Sequence, residues 1–224
     1  MRAMRIVVIG SGRIGGTLTR RLARLGHDVV VAGARGPEAL EDLARETGAT
    51  ATRASDLPAD ADVVMLAIPL GAIPSLSPLP RGAVVVDVAN YVPGMRDPEI
   101  PAIEAGEPES AWTAEQVGRP VIKALNTITA RSQQENGRPS GAADRIAAPI
   151  SGDDDAAKQR VIELVDGLGF EAFDAGTLAD SWRQQPGTPV YGADLPLDAA
   201  RVAIDAARPE QSTVWRDAVR AKTG

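Results

Sequence analysis

The sequence holds no cysteine and one histidine, His27. Without cysteine there can be no disulfide, thiolate metal ligand or thiol nucleophile. With one histidine, a serine-histidine hydrolase or a histidine-based metal site lacks its usual material. His27 follows a helix-ending glycine and precedes a strand, on the edge opposite the ligand side expected below, so its role is read as structural. Aromatic residues make up 3% of the chain and the formal charge is -6. Few rings are available for stacking on bases, and the acidic excess repels a polyphosphate, so nucleic acid is not an expected partner. Apolar runs such as 63–68 and 83–86 fall far short of the roughly 20 residues that cross a bilayer. No membrane partner is expected either. The opening Met1-Arg2-Ala3-Met4-Arg5 leads straight into Ile6-Val7-Val8-Ile9, too short an apolar stretch for a signal peptide, so a cytoplasmic protein is expected. Lysine is scarce beside arginine and alanine abundant, a bias of GC-rich bacterial genomes.

What is present is an alternation. Short β-branched runs at residues 5–9, 28–32, 62–67, 83–88, 120–125, 147–151 and 171–174 are separated by helical patterns. Several of the runs lack polar alternation, as strands covered on both faces do. The rhythm is that of an α/β Rossmann-type, doubly wound, mostly parallel sheet. Ile14, Leu18, Leu22 and Leu25 recur at helical spacing up to Gly26, which completes a βαβ unit. A second helix opens near Pro37, carries Leu40, Leu43 and Ala44 inward, and stops at Gly48. A third is expected over 110–117, with Ser110 and Thr113 at its start. A fourth follows Asp153-Asp154-Asp155 and buries Val161, Leu164, Val165 and Leu168. The acids of that run are expected to cap the helix rather than to hold a metal. Residues 91–109 and 131–144 have loop composition, the first long enough to form a lid. Residues 1–178 are therefore expected to form the nucleotide-binding domain, and residues 179–224 a short helical appendage.

Gly10-Ser11-Gly12-Arg13-Ile14-Gly15 follows the first strand and opens the first helix. G-x-G-x-x-G is common by itself, but in a βαβ unit it has the context of a dinucleotide-binding turn. The first glycine serves the sharp turn, the second the approach of a pyrophosphate and the third close packing, with the phosphates on free helix amides. A tight turn without ligand would give the same pattern. The second strand ends Val31-Ala32-Gly33-Ala34-Arg35-Gly36, with no acid to grip the ribose hydroxyls of NAD(H). Arg35 could instead fork onto the 2′-phosphate of NADP(H), or lie as an exposed residue over the adenine. Ala67, Ile68, Pro69, Ala89 and Asn90, at later strand ends, should flank the cofactor. Asn90 could bond the nicotinamide side or simply close a turn. Lys123 and Asn126 end the fifth run of the sheet, where Lys123 could orient a substrate, donate a proton or satisfy loop carbonyls. No metal ligand set is expected.

Together with this turn and Ala34-Arg35, the stretches Lys123-Ala124-Leu125-Asn126-Thr127-Ile128, Ser151-Gly152-Asp153-Asp154 and 167–176, running on through Asp174-Ala175-Gly176-Thr177-Leu178, carry a family resemblance. Over roughly residues 4–182 the chain resembles the NADPH-dependent reductases of the deazaflavin coenzyme F-420, relatives of the soluble NADPH domain of the STEAP-type metalloreductases. The resemblance implies NADP(H)-dependent hydride exchange with a flavin-like ring (coenzyme F-420, FMN or FAD), commonly in a homodimer or higher homo-oligomer. With no membrane segment following, a whole metalloreductase is not expected. The family's phosphate-loop pattern, Ser-Arg-Arg or similar, falls on Ala34-Arg35-Gly36, where only one basic residue stands. Trp182, with Asn90, Asn126, Lys123 and the C-terminal segment, is expected beside the small-molecule hydride acceptor. Two other activities fit the same residues: reduction of a small carbonyl or imine with Lys123 or Tyr191 as proton donor, and a non-catalytic NADP(H) sensor.

Overall fold

The computed structural model describes residues 2–223, without the side chain of Thr223; Met1 and Gly224, the outer ends of the two expected units, lie outside them. A six-stranded sheet of β1 (Arg5–Ile9), β2 (Asp28–Gly33), β3 (Thr50–Arg53), β4 (Val63–Leu66), β5 (Val84–Asp87) and β6 (Val121–Lys123) forms the centre. Its order is β3-β2-β1-β4-β5-β6, and every neighbouring pair is parallel. Both faces are covered, which explains the unbroken apolar runs: Ile6 and Val8 enter one core layer, Val7 and Ile9 the other. The order reverses between β1 and β4, so a crevice opens at their carboxyl ends.

Helix α1 (Arg13–Arg24) buries Leu18 and Leu22 against the sheet, each contributing about 1.5–3 kcal/mol of apolar burial. The expected second helix is split into a 3-10 turn at Pro37–Leu40 and α2 (Glu41–Thr47). Leu40 is buried, Leu43 and Ala44 only half so, and Gly48 ends α2 in the left-handed conformation. The expected loop at 91–109 contains α3 (Pro101–Glu104) and is tied down rather than free as a lid. Tyr91 is fully buried, its Oη donating to Glu104 and accepting from the Ile100 amide. Asp97 accepts from the amides of Gly71 and Val92. Next comes α4 (Glu109–Val117). Residues 131–144, also expected as loop, begin inside α5 (Ala130–Glu135), which Thr129 caps by accepting from the Ser132 amide.

A second, two-stranded parallel sheet of β7 (Ala147–Ile150) and β8 (Glu171–Asp174) flanks α6 (Asp155–Gly167). Asp154 caps α6, as the acidic run implied, and Asp153 accepts from the Leu178 amide. Reciprocal backbone bonds between Lys123 and Ser151 join this sheet to β6. The C-terminal segment adds a 3-10 turn at Ala179–Gln184, α7 (Leu197–Asp205) and α8 (Glu210–Thr223). Residues Ala200, Ala203 and Ile204 of α7 pack on Ala147 and Phe173 of the small sheet, and Arg216 and Arg220 of α8 reach Glu104 of α3. No helix of the described residues is long and apolar enough to cross a membrane.

Candidate functional site

At the switch point lies a cleft of about 850 Å³. That is near the upper end of ligand-sized pockets. The glycine turn forms its floor, and the three glycines there have three different reasons. Gly10 has φ +107°, and a Cβ on it would stand 2.3 Å from the carbonyl oxygen of Ala67. A Cβ on Gly15 would lie 2.0 Å from the Gly10 carbonyl oxygen, so the helix start packs on the turn itself. Around Gly12 nothing lies within 4 Å of a Cβ position, leaving open space above the backbone.

The start of α1 is bare of anions. Gly12 is its N-cap with no side-chain bond, and its first turn holds no acid. Each of the other described α-helices has a capping side chain, an acid in the first turn, or both. The first amides of α1 therefore keep both their donors and the positive end of the helix dipole for a ligand, the arrangement that suits a pyrophosphate. Ser11, Arg13 and Ile14 line the same stretch.

Toward the β2 side the cleft is walled by Gly33, Ala34, Arg35 and Gly36. Arg35 is exposed, with no ion pair among the described residues. A guanidinium without a partner, where NAD(H) sites carry a carboxylate, fits the 2′-phosphate of NADP(H).

Toward β5 and β6 the wall is Ala67, Ile68, Pro69, Ala89, Asn90, Arg96, Asn126, Thr127 and Tyr191. Asn90 and Asn126 clasp each other: each Nδ2 donates across at 3.0 Å, one to a backbone carbonyl and one to a side-chain oxygen. Asn126 also donates to the Gln184 carbonyl at 2.7 Å and accepts from Gln184 Nε2 at 2.9 Å, and Ser151 Oγ donates to Gln184 Oε1 at 2.9 Å. Both Nδ2 hydrogens of Asn126 are thus used, so it shapes the wall, while half-buried Asn90 keeps one Nδ2 hydrogen without a partner among the described residues. Leu125 just before it has φ +61°, and Gln133 holds that bend by donating to the carbonyls of Leu125 and Ile128.

Two expected acceptor-side residues stand elsewhere. Lys123 does not reach the cleft. Strand register pairs it with Asp87, and its fully buried Nζ donates to Asp87 Oδ2 at 3.3 Å and to the Ala89 carbonyl at 2.5 Å. Ser110 donates to the same Asp87 oxygen at 2.7 Å. Beside them Glu109 is wholly buried, and burial pushes its carboxyl up to about 7 despite the attraction of Lys123. This is a polar foundation under the end of β5, in which Lys123 satisfies a carbonyl. Trp182 lies outside the cleft lining, stacked by the Arg183 guanidinium at 5.4 Å. The aromatic side chain that does enter is Tyr191, held edge-on by Trp215 and anchored through the Gly192 amide on the Thr127 carbonyl. Burial raises the pKa of its phenol, which makes no hydrogen bond among the described residues. His27 is remote, its Nδ1 accepting from the Met4 amide at 3.2 Å, with its pKa lowered by burial. Among the described residues no cluster of three or more metal-ligating side chains occurs.

Residues 5–91 match the family model described as NADP oxidoreductase, coenzyme F420-dependent, a shorter span than the resemblance suggested. A crystal structure of the hypothetical protein SMa0349 from Sinorhizobium meliloti is 28% identical, covering 88% of this chain and 97% of that one, with a TM-score of 0.72. A crystal structure from Arthrobacter sp. FB24, provisionally named an F420-dependent NADP-reductase, is 27% identical over 79% of this chain and 86% of its own, with a TM-score of 0.61. An imine reductase from Pseudomonas sp. shares the fold, at 18% identity and a TM-score of 0.55 over 80% of this chain and 58% of its own. A curated protein of Escherichia coli (strain K12), YjhV, is 44% identical over 59 residues, 26% of this chain and 43% of its own length. This chain thus matches under half of that curated relative. Over residues 5–91 the chain resembles the coenzyme F420-dependent NADP oxidoreductase family, and that match with the shared fold supports an NADP-dependent oxidoreductase.

Proposed function

We propose that the chain transfers a hydride between NADP(H), held in the cleft at the switch point, and a flavin or deazaflavin acceptor such as coenzyme F-420, FMN or FAD. The observation that carries this reading is the cleft itself: an uncapped helix start over open space at Gly12, an unpaired Arg35 at one end and a small-residue wall at the other. When bound, the nicotinamide gives or accepts the hydride. Amides of α1 hold the pyrophosphate, which fixes where the ring falls along the crevice. Ala67, Ile68, Pro69 and Ala89 would leave room for a flat ring and exclude water from it, and Asn90 would offer it a hydrogen bond. Such a transfer between rings needs position more than acid or base, in keeping with the absence of a histidine or a free carboxylate from the lining of this cleft.

One observation favours a second reading, reduction of a small carbonyl or imine. Tyr191 lines the acceptor end, and its burial keeps the phenol protonated and able to donate. The discriminating experiment mixes purified protein and NADPH with coenzyme F-420, FMN, FAD and a panel of small ketones and imines, following the nicotinamide absorbance. Turnover with a flavin-type acceptor, little changed in Tyr191→Phe, is the expected result. Turnover confined to carbonyls or imines and lost in Tyr191→Phe supports the second reading. Binding of NADPH with no turnover on any acceptor would overturn both in favour of a sensor.

A further inference from the structure

The loop after β2 carries one basic residue in sequence, yet the fold brings a second to it. Edge strand β3 runs parallel to β2 in a register that sets Arg53 beside Gly33, and the Ala54 amide donates to the Gly33 carbonyl at 3.2 Å. Arg53, itself outside the cleft lining, lies against Gly36, which lines it. A Cβ at Gly36, which has φ +90°, would stand 3.0 Å from Arg53 Nη2 and 3.1 Å from its Cζ. The side chain is exposed and makes no hydrogen bond or ion pair among the described residues. Arg35 is in the same state, one residue before Gly36. One carboxylate shares the place: Glu38 Oε2 would lie 2.7 Å from that Cβ, yet it forms no ion pair with Arg53. Two guanidiniums and one carboxylate leave the loop net positive.

We infer that Arg53 is a specificity-determining residue which, with Arg35, grips the 2′-phosphate of NADP(H). The inference rests on the NADP(H) reading of the cleft. Its ground is the end of β2, where the adenine ribose sits in a site of this topology. A phosphate there carries oxygens enough for two forked donors, and each charge-assisted pair adds discrimination against a cofactor lacking the phosphate. The second basic residue absent from Ala34-Arg35-Gly36 is thus supplied by a neighbouring strand rather than by the next position in the chain.

The test is calorimetric titration of the full chain with 2′,5′-ADP and with 5′-AMP, for wild type, Arg53→Ala, Arg53→Lys and Arg35→Ala; no acceptor or turnover enters. Arg53→Ala is expected to weaken 2′,5′-ADP about tenfold and to leave 5′-AMP within about twofold, with Arg53→Lys restoring part of the loss. Equal losses for both ligands, or no loss for either, would overturn the role of Arg53. If Arg35→Ala alone is selective, Arg53 fails while the NADP(H) reading stands. If wild type itself does not prefer 2′,5′-ADP, the NADP(H) reading fails with it. Thermal denaturation of each variant separates a binding loss from a folding defect.

Discussion

At the scale of single residues, the cleft depends on side chains whose placement is set by partners distant in sequence. Lys123 stands at a strand end, the place where ligands meet a sheet of this kind, but a buried Asp87 on the neighbouring strand claims it. Local sequence carries no sign of that pairing, because it follows from register between strands 36 residues apart. The same foundation gives a pH dependence. Burial raises the Glu109 carboxyl from its ordinary value of 4.5 to about 7, so the fold favours its neutral form. The stability this contributes is complete below the unfolded value and is lost as pH rises through about 7. Glu109→Gln, which stays neutral throughout, should gain on wild type by up to about 3 kcal/mol between about pH 5 and about pH 8. Denaturant midpoints of the two proteins that moved in parallel with pH would contradict this.

At the scale of elements, the strand-turn-helix unit was legible because its signals are local. β1 begins and ends at the expected residues, and the spacing of Leu18 and Leu22 alone implies α1. Other elements gave no such signal, an edge strand and a short helix among them. Thr50–Arg53 is a four-residue edge strand with no fully buried position, so no apolar pattern marks it. Ala130–Glu135 has a single apolar residue, its helix being held by the Thr129 cap and by the Gln133 bonds to the preceding bend. The turn offers a paired test of which glycine serves binding and which serves packing. Gly12→Ala puts a methyl into open space at an ordinary backbone conformation, and should leave stability within about 1 kcal/mol while weakening NADPH at least about tenfold. Gly15→Ala drives a methyl into the Gly10 carbonyl and should lose about 1–3 kcal/mol of stability as well as affinity. Undiminished NADPH affinity in Gly12→Ala would mean that no phosphate approaches that backbone.

At the scale of the whole molecule, the proposed cofactor half and the proposed acceptor half of the cleft are written differently in the chain. The first is nearly contiguous, from the glycine turn through Arg35 to Pro69, and lies within the residues 5–91 that the family model matches. The second is assembled from the ends of β5 and β6 and from the C-terminal segment folding back across them. Gln184 locks Asn126, and Tyr191, expected only as a proton donor to a carbonyl or imine, enters the wall where Trp182 is expected beside the acceptor. Only the return of the chain after β8, secured by α7 on the small sheet and by α8 on Glu104, determines which aromatic faces inward. On the proposed reading, the acceptor is selected by long-range packing, whereas the cofactor is selected at the ends of two adjacent strands, by Arg35 after β2 and Arg53 of β3. The most direct measurement is the ratio of NADPH to NADH dissociation constants for wild type and Arg35→Ala. A site that reads the 2′-phosphate gives wild type a preference for NADPH of about tenfold or more, which Arg35→Ala largely removes by weakening NADPH alone. Equal affinities in wild type, or an equal loss of both cofactors in the variant, would contradict it.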